Sequence, residues 1–204
     1  MIAGPGAVMN RGLLRTEAVK VLAGARGDML SLVTMQAVAP WNACGQADDR
    51  NFNVTGCMGS AASIALGLAL ARPDDRVLVL DGDGSLLMQL GSLVSVAGQQ
   101  PPNLYHVVFE NGVYETSGGQ SVPGRQVADL GTIALASGYR HVEKFASQAQ
   151  LAAGIGACLQ RRGPVFISLA ITGPGVVCGG YPPPASKPAQ IENMRLALTA
   201  GGVS

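Results

Sequence analysis

The chain has 204 residues, is 48% apolar and only 13% charged, and carries a formal net charge of +1. That length and apolar share suffice for one sizeable core, and the near-neutral balance, without a basic stripe or polybasic patch, argues against electrostatic binding to nucleic acid or a membrane surface. Apolar runs are broken by Gly and charge before they reach bilayer-spanning length, no secretion signal is evident, and the four cysteines, Cys44, Cys57, Cys158 and Cys178, form no Cys-x-x-Cys pair, so a cytoplasmic protein without an iron–sulfur or zinc centre is expected.

Residues 1–10 read as a loose start. Ala18, Val19, Leu22 and Ala23 make a helical stripe over Thr16–Ala25, and Met29–Met35 reads as a short strand. Gln36–Asn51 is mixed and polar, with Pro40 and Gly45 against one long element, and Trp41 is expected to pack this crossover against the core or a neighbour. A glycine loop, Asn53–Ser60, then leads into a helix over Ala61–Leu70. Gly59, Ser63 and Gly67 recur there at intervals of four. Glycine is costly in a helix, so such a stripe predicts close packing against the sheet or another subunit. Ala71–Asp75 turns into a strand at Val77–Asp81. The turn Gly82-Asp83-Gly84-Ser85 follows, and a helix is predicted from there to about Val96.

Pro101-Pro102 marks a connection to the strand Leu104–Phe109, within which His106 reads as a packed strand histidine. Asn111–Gly124 is a polar, glycine-rich loop, either a cover for an active site or a long crossover. The remaining predictions are a helix at Asp129–Ser137, a strand at Tyr139–Val142, a helix at Ser147–Gln160, a strand at Pro164–Ala170, an extended proline-rich segment over 172–188 and a short helix at Ile191–Leu198. Alternating strands and helices predict a three-layer α/β/α fold with a mostly parallel sheet. We expect one domain over residues 1–204, with a proline-rich C-terminal extension from about 172, and strand order stays open. No early Gly-x-Gly-x-x-Gly and no Gly-Lys-Ser/Thr loop is present, so dinucleotide-binding and phosphate-loop folds fit poorly. The sparse charge and abundant glycine suggest surface buried against other subunits.

Asp83 and Asn111 lie 28 positions apart, each just after an apolar strand and beside glycine. A helical crossover between parallel strands can bring both to one sheet edge. Asp83 offers a carboxylate oxygen and Asn111 an amide oxygen, and a backbone carbonyl of the following loop can complete a set of three. Mg2+ would accept these together with two diphosphate oxygens and one water. Helix-start N–H groups would meet the remaining phosphate oxygens. Singly, the same residues are ordinary: Asp83 a helix cap, Asn111 a turn residue, Met58 core.

Gly82-Asp83-Gly84-Ser85, then 25 residues, then Asn111-Gly112 resembles the signature of thiamine-diphosphate enzymes. Gly56-Cys57-Met58-Gly59 and its small-residue helix resemble the same family's coenzyme loop, and the resemblance covers roughly residues 15–170. It extends to the diphosphate-binding domain alone. The run Glu110-Asn111-Gly112-Val113-Tyr114-Glu115-Thr116-Ser117-Gly118-Gly119-Gln120 is similar to the sulfopyruvate and phosphonopyruvate decarboxylase group. The resemblance implies thiamine diphosphate and Mg2+ as cofactors. It implies Asp83, Asn111 and the Val113 carbonyl as metal ligands, and Gly82, Gly84, Ser85, Cys57 and Tyr114 beside the coenzyme. The Gly56 carbonyl would face the aminopyrimidine, Met58 would wedge between the two rings, and Gly118, Gly119 and Gln120 would lie near substrate. Glu110 stands where the family often has Asn or Asp, which is expected to alter a neighbouring hydrogen bond rather than the metal set.

In this family a glutamate of a separate pyrimidine-binding domain activates the coenzyme. Glu17, Glu110, Glu115, Glu143 and Glu192 do not sit in such a context. The resemblance therefore implies a pyrimidine-domain alpha subunit as partner, with this chain as a homodimer inside a larger hetero-oligomer. The implied reaction is decarboxylation of a small 2-oxoacid, such as a 3-sulfo- or 3-phosphono-substituted pyruvate, to an aldehyde. The alternatives are an acetolactate-synthase-like carboligase, a 2-oxoacid oxidoreductase beta chain and a noncatalytic coenzyme-binding subunit.

Overall fold

The computed structural model describes residues 12–46, 49–172 and 186–200. Helix α1 (Arg15–Arg26) buries Ala18, Val19 and Leu22 and leads into strand β1 (Leu30–Thr34). A 3-10 turn, the short helix α2 (Val38–Trp41) and a wide turn kinked at Gly45 follow, then β2 (Asn51–Val54). Next come α3 (Ala61–Ala71), β3 (Val77–Gly82), α4 (Asp83–Met88), α5 (Ser92–Gln99) and β4 (Leu104–Glu110). A small hairpin, β5 (Val113–Tyr114) and β6 (Gln120–Ser121), precedes α6 (Leu130–Ser137), β7 (His141–Phe145), α7 (Gln148–Gln160), β8 (Val165–Ala170) and α8 (Lys187–Ala200).

The main sheet runs β2-β1-β3-β4-β8-β7, and every neighbouring pair is parallel. Parallel strands need crossovers on the sheet faces, so both faces are covered and the central strands β3, β4 and β8 are largely apolar. Successive side chains divide between the two faces. Leu78 and Leu80 join Val19, Leu22, Trp41 and Leu151 beneath α1, α2 and α7. Val77 and Val79 join Ala65, Ala69, Leu93 and Phe166 on the side of α3, α5 and α6. The architecture is the expected three-layer α/β with a parallel sheet. Asp129 caps α6 by accepting from the Thr132 N–H at 2.8 Å, and Ser147 caps α7 by accepting from the Gln150 N–H at 3.3 Å. Trp41 is fully buried and donates from Nε1 to Asn51 Oδ1 at 3.1 Å, so it packs the crossover onto the core of its own chain.

Several expectations need correction. Asn51–Val54 is an edge strand rather than the start of a loop, because Asn51 is satisfied sideways by the Ser31 hydroxyl at 2.8 Å. The helix after β3 begins at Asp83, so Gly84 and Ser85 lie in its first turn, and it breaks at Gln89–Gly91 into α4 and α5. Strand β7 starts two residues later than predicted, and α8 is longer at both ends than Ile191–Leu198. The sheet is met by Ala61, Ala65 and Ala69; Ser63 and Gly67 face outward. The small-residue stripe therefore does not pack on the sheet. Residues 1–10 and most of the proline-rich segment, 173–185, lie outside the described residues.

Both sheet edges are guarded. On the β2 side α8 packs alongside, and Gln190 Oε1 accepts the Asn53 N–H at 3.0 Å. On the β7 side Glu143 pairs with Arg161 and Lys144 with Asp129. No helix among the described residues is long and apolar enough to cross a membrane.

Asp75 ties the end of α3 to the start of β2, accepting from Arg50 at 2.5 Å and Arg72 at 2.9 Å. Partial burial pushes its carboxyl up, but the hydrogen bonds and charges of the two guanidiniums outweigh this and hold it below the ordinary 3.8. A carboxyl held lower in the folded than in the unfolded chain stabilises the fold above the unfolded value, and that contribution is lost as pH falls through the folded one. Asp75→Asn is accordingly expected to unfold at lower urea concentration than wild type at pH 7. The gap should close as pH is lowered below 3.8. A gap independent of pH would show that the pair does not act through charge.

Candidate functional site

The carboxyl ends of β1, β3 and β4 share one edge of the sheet. From β1 the chain moves outward to β2, then returns to β3 on the other side of β1. That reversal opens a crevice between the ends of β1 and β3, the usual ligand position in an open α/β sheet. A cleft holding about 440 Å³ of empty space lies there, between the Thr34–Gln36 turn, Met58, the Asp81–Ser85 corner and the Asn111–Thr116 loop. Met35, at its rim, has φ of 43°, a left-handed conformation that costs a non-glycine residue energy and is found where surrounding structure enforces it.

Asp83 projects from the start of α4 and is 5% exposed. Its Oδ1 accepts the Gly84 N–H at 2.7 Å and its Oδ2 the Gly112 N–H at 2.6 Å, so the corner after β3 and the turn after β4 are joined through one carboxylate. Burial raises the carboxyl above its ordinary 3.8, and the N–H groups of Gly112 and Gly84 and the charge of Arg15 only partly offset this. Such a group is underserved with positive charge, and a bound cation would reverse the shift. Asn111 Oδ1 accepts the Val113 N–H at 3.0 Å, and its Nδ2 donates to Glu115 Oε2 at 2.8 Å. Glu115 in turn is held by Arg15 through both oxygens, at 3.2 and 2.5 Å.

Gly84 allows a close approach. A Cβ there would lie 2.6 Å from the Tyr114 ring, which rests on the first turn of α4. Ser85 is buried, and its Oγ accepts the Gly59 N–H at 3.0 Å, tying the glycine loop to α4. Met58 is half-buried in the cleft, with Sδ 3.9 Å from the Thr116 hydroxyl. Of the residues singled out from the sequence, Met58, Gly82, Asp83, Gly84, Ser85, Asn111, Val113 and Tyr114 all line this cleft. Gly56, Cys57 and Gln120 do not. They are exposed beside it, Gln120 on the outer strand of the hairpin. Glu110 points away from the cleft and accepts from Ser168 Oγ at 2.6 Å. His106 is fully buried against Tyr139 and Phe166, as a packed strand histidine should be, with Nδ1 3.2 Å from the Tyr139 hydroxyl.

Among the described residues no three His, Cys, Asp or Glu side chains cluster as a metal site. Of the carboxylates that line the cleft, Asp81 is held by the Thr34 hydroxyl and the Gly82 N–H and Glu115 by Arg15. That leaves the Asp83 carboxylate, one amide oxygen and backbone carbonyls, a hard-oxygen set that suits Mg2+ only when a ligand brings further oxygens. The residues present therefore fit a metal held jointly with a phosphorylated ligand. Arg15, Glu115, Met35 and Gln36 escaped sequence reasoning as site residues. Glu115 carried a faint signal, four residues after Asn111 in the same turn; Arg15, 100 positions away from Glu115, carried none.

The family described as "Thiamine pyrophosphate enzyme, C-terminal TPP binding domain" matches residues 34–169. The chain is 43% identical over 143 residues to phosphonopyruvate decarboxylase of Streptomyces viridochromogenes, covering 70% of this chain and 35% of that protein. It is 39% identical over 154 residues to the sulfopyruvate decarboxylase subunit beta of Methanothermobacter thermautotrophicus, covering 76% of this chain and 80% of that one. The chain spans about a third of the length of the phosphonopyruvate decarboxylases it matches. The thiamine diphosphate-dependent 4-hydroxybenzoylformate decarboxylase of Rhodococcus jostii RHA1 superposes with a TM-score of 0.65 at 20% identity, over 84% of this chain and 35% of that one, a likeness of fold. By the extent of the family match and by its sheet, crevice and cleft, this chain belongs to the thiamine pyrophosphate enzymes and carries their C-terminal TPP-binding domain.

Proposed function

We propose that the chain is the diphosphate-binding, beta-type subunit of a thiamine-diphosphate- and Mg2+-dependent 2-oxoacid decarboxylase. Its substrate would be sulfopyruvate, phosphonopyruvate or a similar 3-substituted pyruvate. The observation that supports this most is the joining of Asp83 and Asn111 at one sheet edge through the 2.6 Å bond from the Gly112 N–H to Asp83. The names borne by its relatives favour this substrate class.

Asp83, Asn111 and the Val113 carbonyl would hold Mg2+, whose charge would offset that of the diphosphate. The Ser85 N–H, at the start of α4, would meet a phosphate oxygen, beside the Gly84 backbone, whose own N–H is held by Asp83 Oδ1. Gly82 leaves the corner unobstructed, and Tyr114 and Cys57 border the coenzyme. The Gly56 carbonyl would orient the aminopyrimidine, Met58 would set the angle between the two rings, and Gln120, with Gly118 and Gly119, would lie on the substrate side. Bound thiamine diphosphate supplies a thiazolium that accepts the electron pair freed as the carboxylate leaves. The balance is one 2-oxoacid anion and one proton giving one CO2 and one aldehyde.

The activating glutamate comes from a pyrimidine-domain alpha subunit. In support, the five glutamates of this chain are engaged elsewhere: Glu110 with Ser168, Glu115 with Arg15, Glu143 with Arg161, Glu192 with Arg195 and Glu17 with Lys20. We place the chain as a homodimer within a larger hetero-oligomer. The purified chain with Mg2+ and thiamine diphosphate is expected to be silent toward 2-oxoacids. Addition of the pyrimidine-domain polypeptide should release CO2 and an aldehyde in equal amounts. Turnover by the chain alone would refute the partner. A hydroxyketone product would make it a carboligase, a reduced electron acceptor an oxidoreductase, and coenzyme binding without turnover in any pairing a noncatalytic subunit.

A further inference from the structure

We infer that Arg15 and Glu115 form a clamp that fixes which end of the Asn111 amide faces the cation. The inference rests on the metal site proposed above. An asparagine amide has an accepting oxygen at one end and two donors at the other, and the two ends are nearly the same size. Only the oxygen can bind Mg2+; the NH2 end would repel it. Something must therefore hold the flip.

Two contacts do so. The Val113 N–H can only donate, so it demands the oxygen at 3.0 Å. The Glu115 carboxylate can only accept, so it demands the NH2 at 2.8 Å. The second contact is charge-assisted and is the stronger of the two. Glu115 can serve only while its own orientation is fixed. Arg15 fixes it with two guanidinium bonds, Nη1 to Oε1 at 3.2 Å and Nη2 to Oε2 at 2.5 Å, in a pair whose side chains are 6% and 13% exposed. The same pairing neutralises Glu115, so that it does not become a competing ligand for the cation. Arg15 is itself placed by the backbone before it. Leu13 donates to the Ala170 carbonyl at 2.8 Å and accepts the Thr172 N–H at 2.9 Å, which docks the start of α1 beside the end of β8. Arg15 and Glu115 are positioning residues: they act on the metal through Asn111.

The test is a cycle on the full chain, read by electron paramagnetic resonance of Mn2+ titrated in the presence of saturating thiamine diphosphate. Glu115→Gln presents either an oxygen or an NH2 to Asn111 and so removes the stronger half of the flip lock, leaving only the Val113 N–H. Mn2+ affinity is expected to fall by about 10- to 100-fold, as for other partners that orient a metal ligand. Asn111→Asp has an oxygen at both ends and needs no lock. In that background Glu115→Gln should leave Mn2+ affinity unchanged or tighter, since it also removes a facing carboxylate. Equal losses in both backgrounds would reduce the pair to a brace between α1 and the loop and overturn the inference, as would an unaltered affinity for Glu115→Gln alone. Absence of Mn2+ binding by wild type would instead overturn the metal site, and the clamp with it. If Glu115→Gln does not fold, Arg15→Lys replaces the two-point hold by one, and the same dependence on the residue at 111 is expected.

Discussion

Asp83→Ala is expected to lose Mg2+-assisted binding of thiamine diphosphate, by at least about 100-fold, the upper range for residues that only orient a metal ligand. Two effects combine. The single carboxylate of the proposed ligand set disappears, and the bond that holds the Gly112 turn against the start of α4 goes with it. Folding should survive, because the lost hydrogen bonds are offset by removing a carboxylate whose burial already disfavours its charge. Asp83→Asn separates the two effects: it keeps an acceptor for one N–H while deleting the charge. Calorimetry with Mg2+ and thiamine diphosphate reads both variants. Affinity equal to wild type in Asp83→Ala would remove Asp83 from the site.

Gly59→Val is expected to disable the site from the opposite side. Gly59 has φ of 87°, which a β-branched residue adopts only under strain. A Cβ there would also stand 3.2 Å from Gln89 Cβ and 3.3 Å from Met88 Cβ, atoms fixed to the backbone of α4 and the turn after it. The loop must withdraw, breaking the bond from the Gly59 N–H to Ser85 and moving Met58 out of the cleft. Strain of this kind costs about 1–3 kcal/mol. We expect a lower melting temperature and a larger, separable loss of coenzyme affinity. Gly98→Ala is the control: Gly98 sits in α5 with open space around its Cβ position, so alanine should stabilise by about 0.5–1 kcal/mol. Normal coenzyme affinity in Gly59→Val would show that the loop does not touch the coenzyme.

The strands at the centre were readable because they are buried on both faces. Val77–Leu80 and Leu104–Phe109 carry unbroken or nearly unbroken apolar runs, and the polar corners behind them stood out. Strand β2 was not readable. Its Asn51 and Asn53 look like turn residues, yet Asn51 is buried by bonds to Ser31, Trp41 and Asn53, partners that exist only once the sheet has formed. The break between α4 and α5 was missed because Leu86, Leu90, Leu93 and Val94 keep a helical period across Gly91. The proposed metal ligands Asp83 and Asn111 were legible as a spacing between two glycine corners. The Arg15–Glu115 pair was not, since nothing local in Leu13–Thr16 points to a residue a hundred positions away. The outward turn of Ser63 and Gly67 was also hidden: a stripe of small residues and a stripe of alanines share the same helix, and sequence alone did not say which one the sheet would take.

The guarded borders of the sheet restrict how copies of this chain, and any partner, can come together. A bare terminal strand invites the addition of another strand, and repeated addition leads to fibres. Here one border is occupied by a helix whose glutamine uses the free amide of Asn53, and the other carries paired charges. Growth by strand pairing is therefore blocked at the first border and disfavoured at the second. The helical layers are left as the surfaces on which a contact would bury side chains without extending the sheet and could end at a finite, symmetric particle.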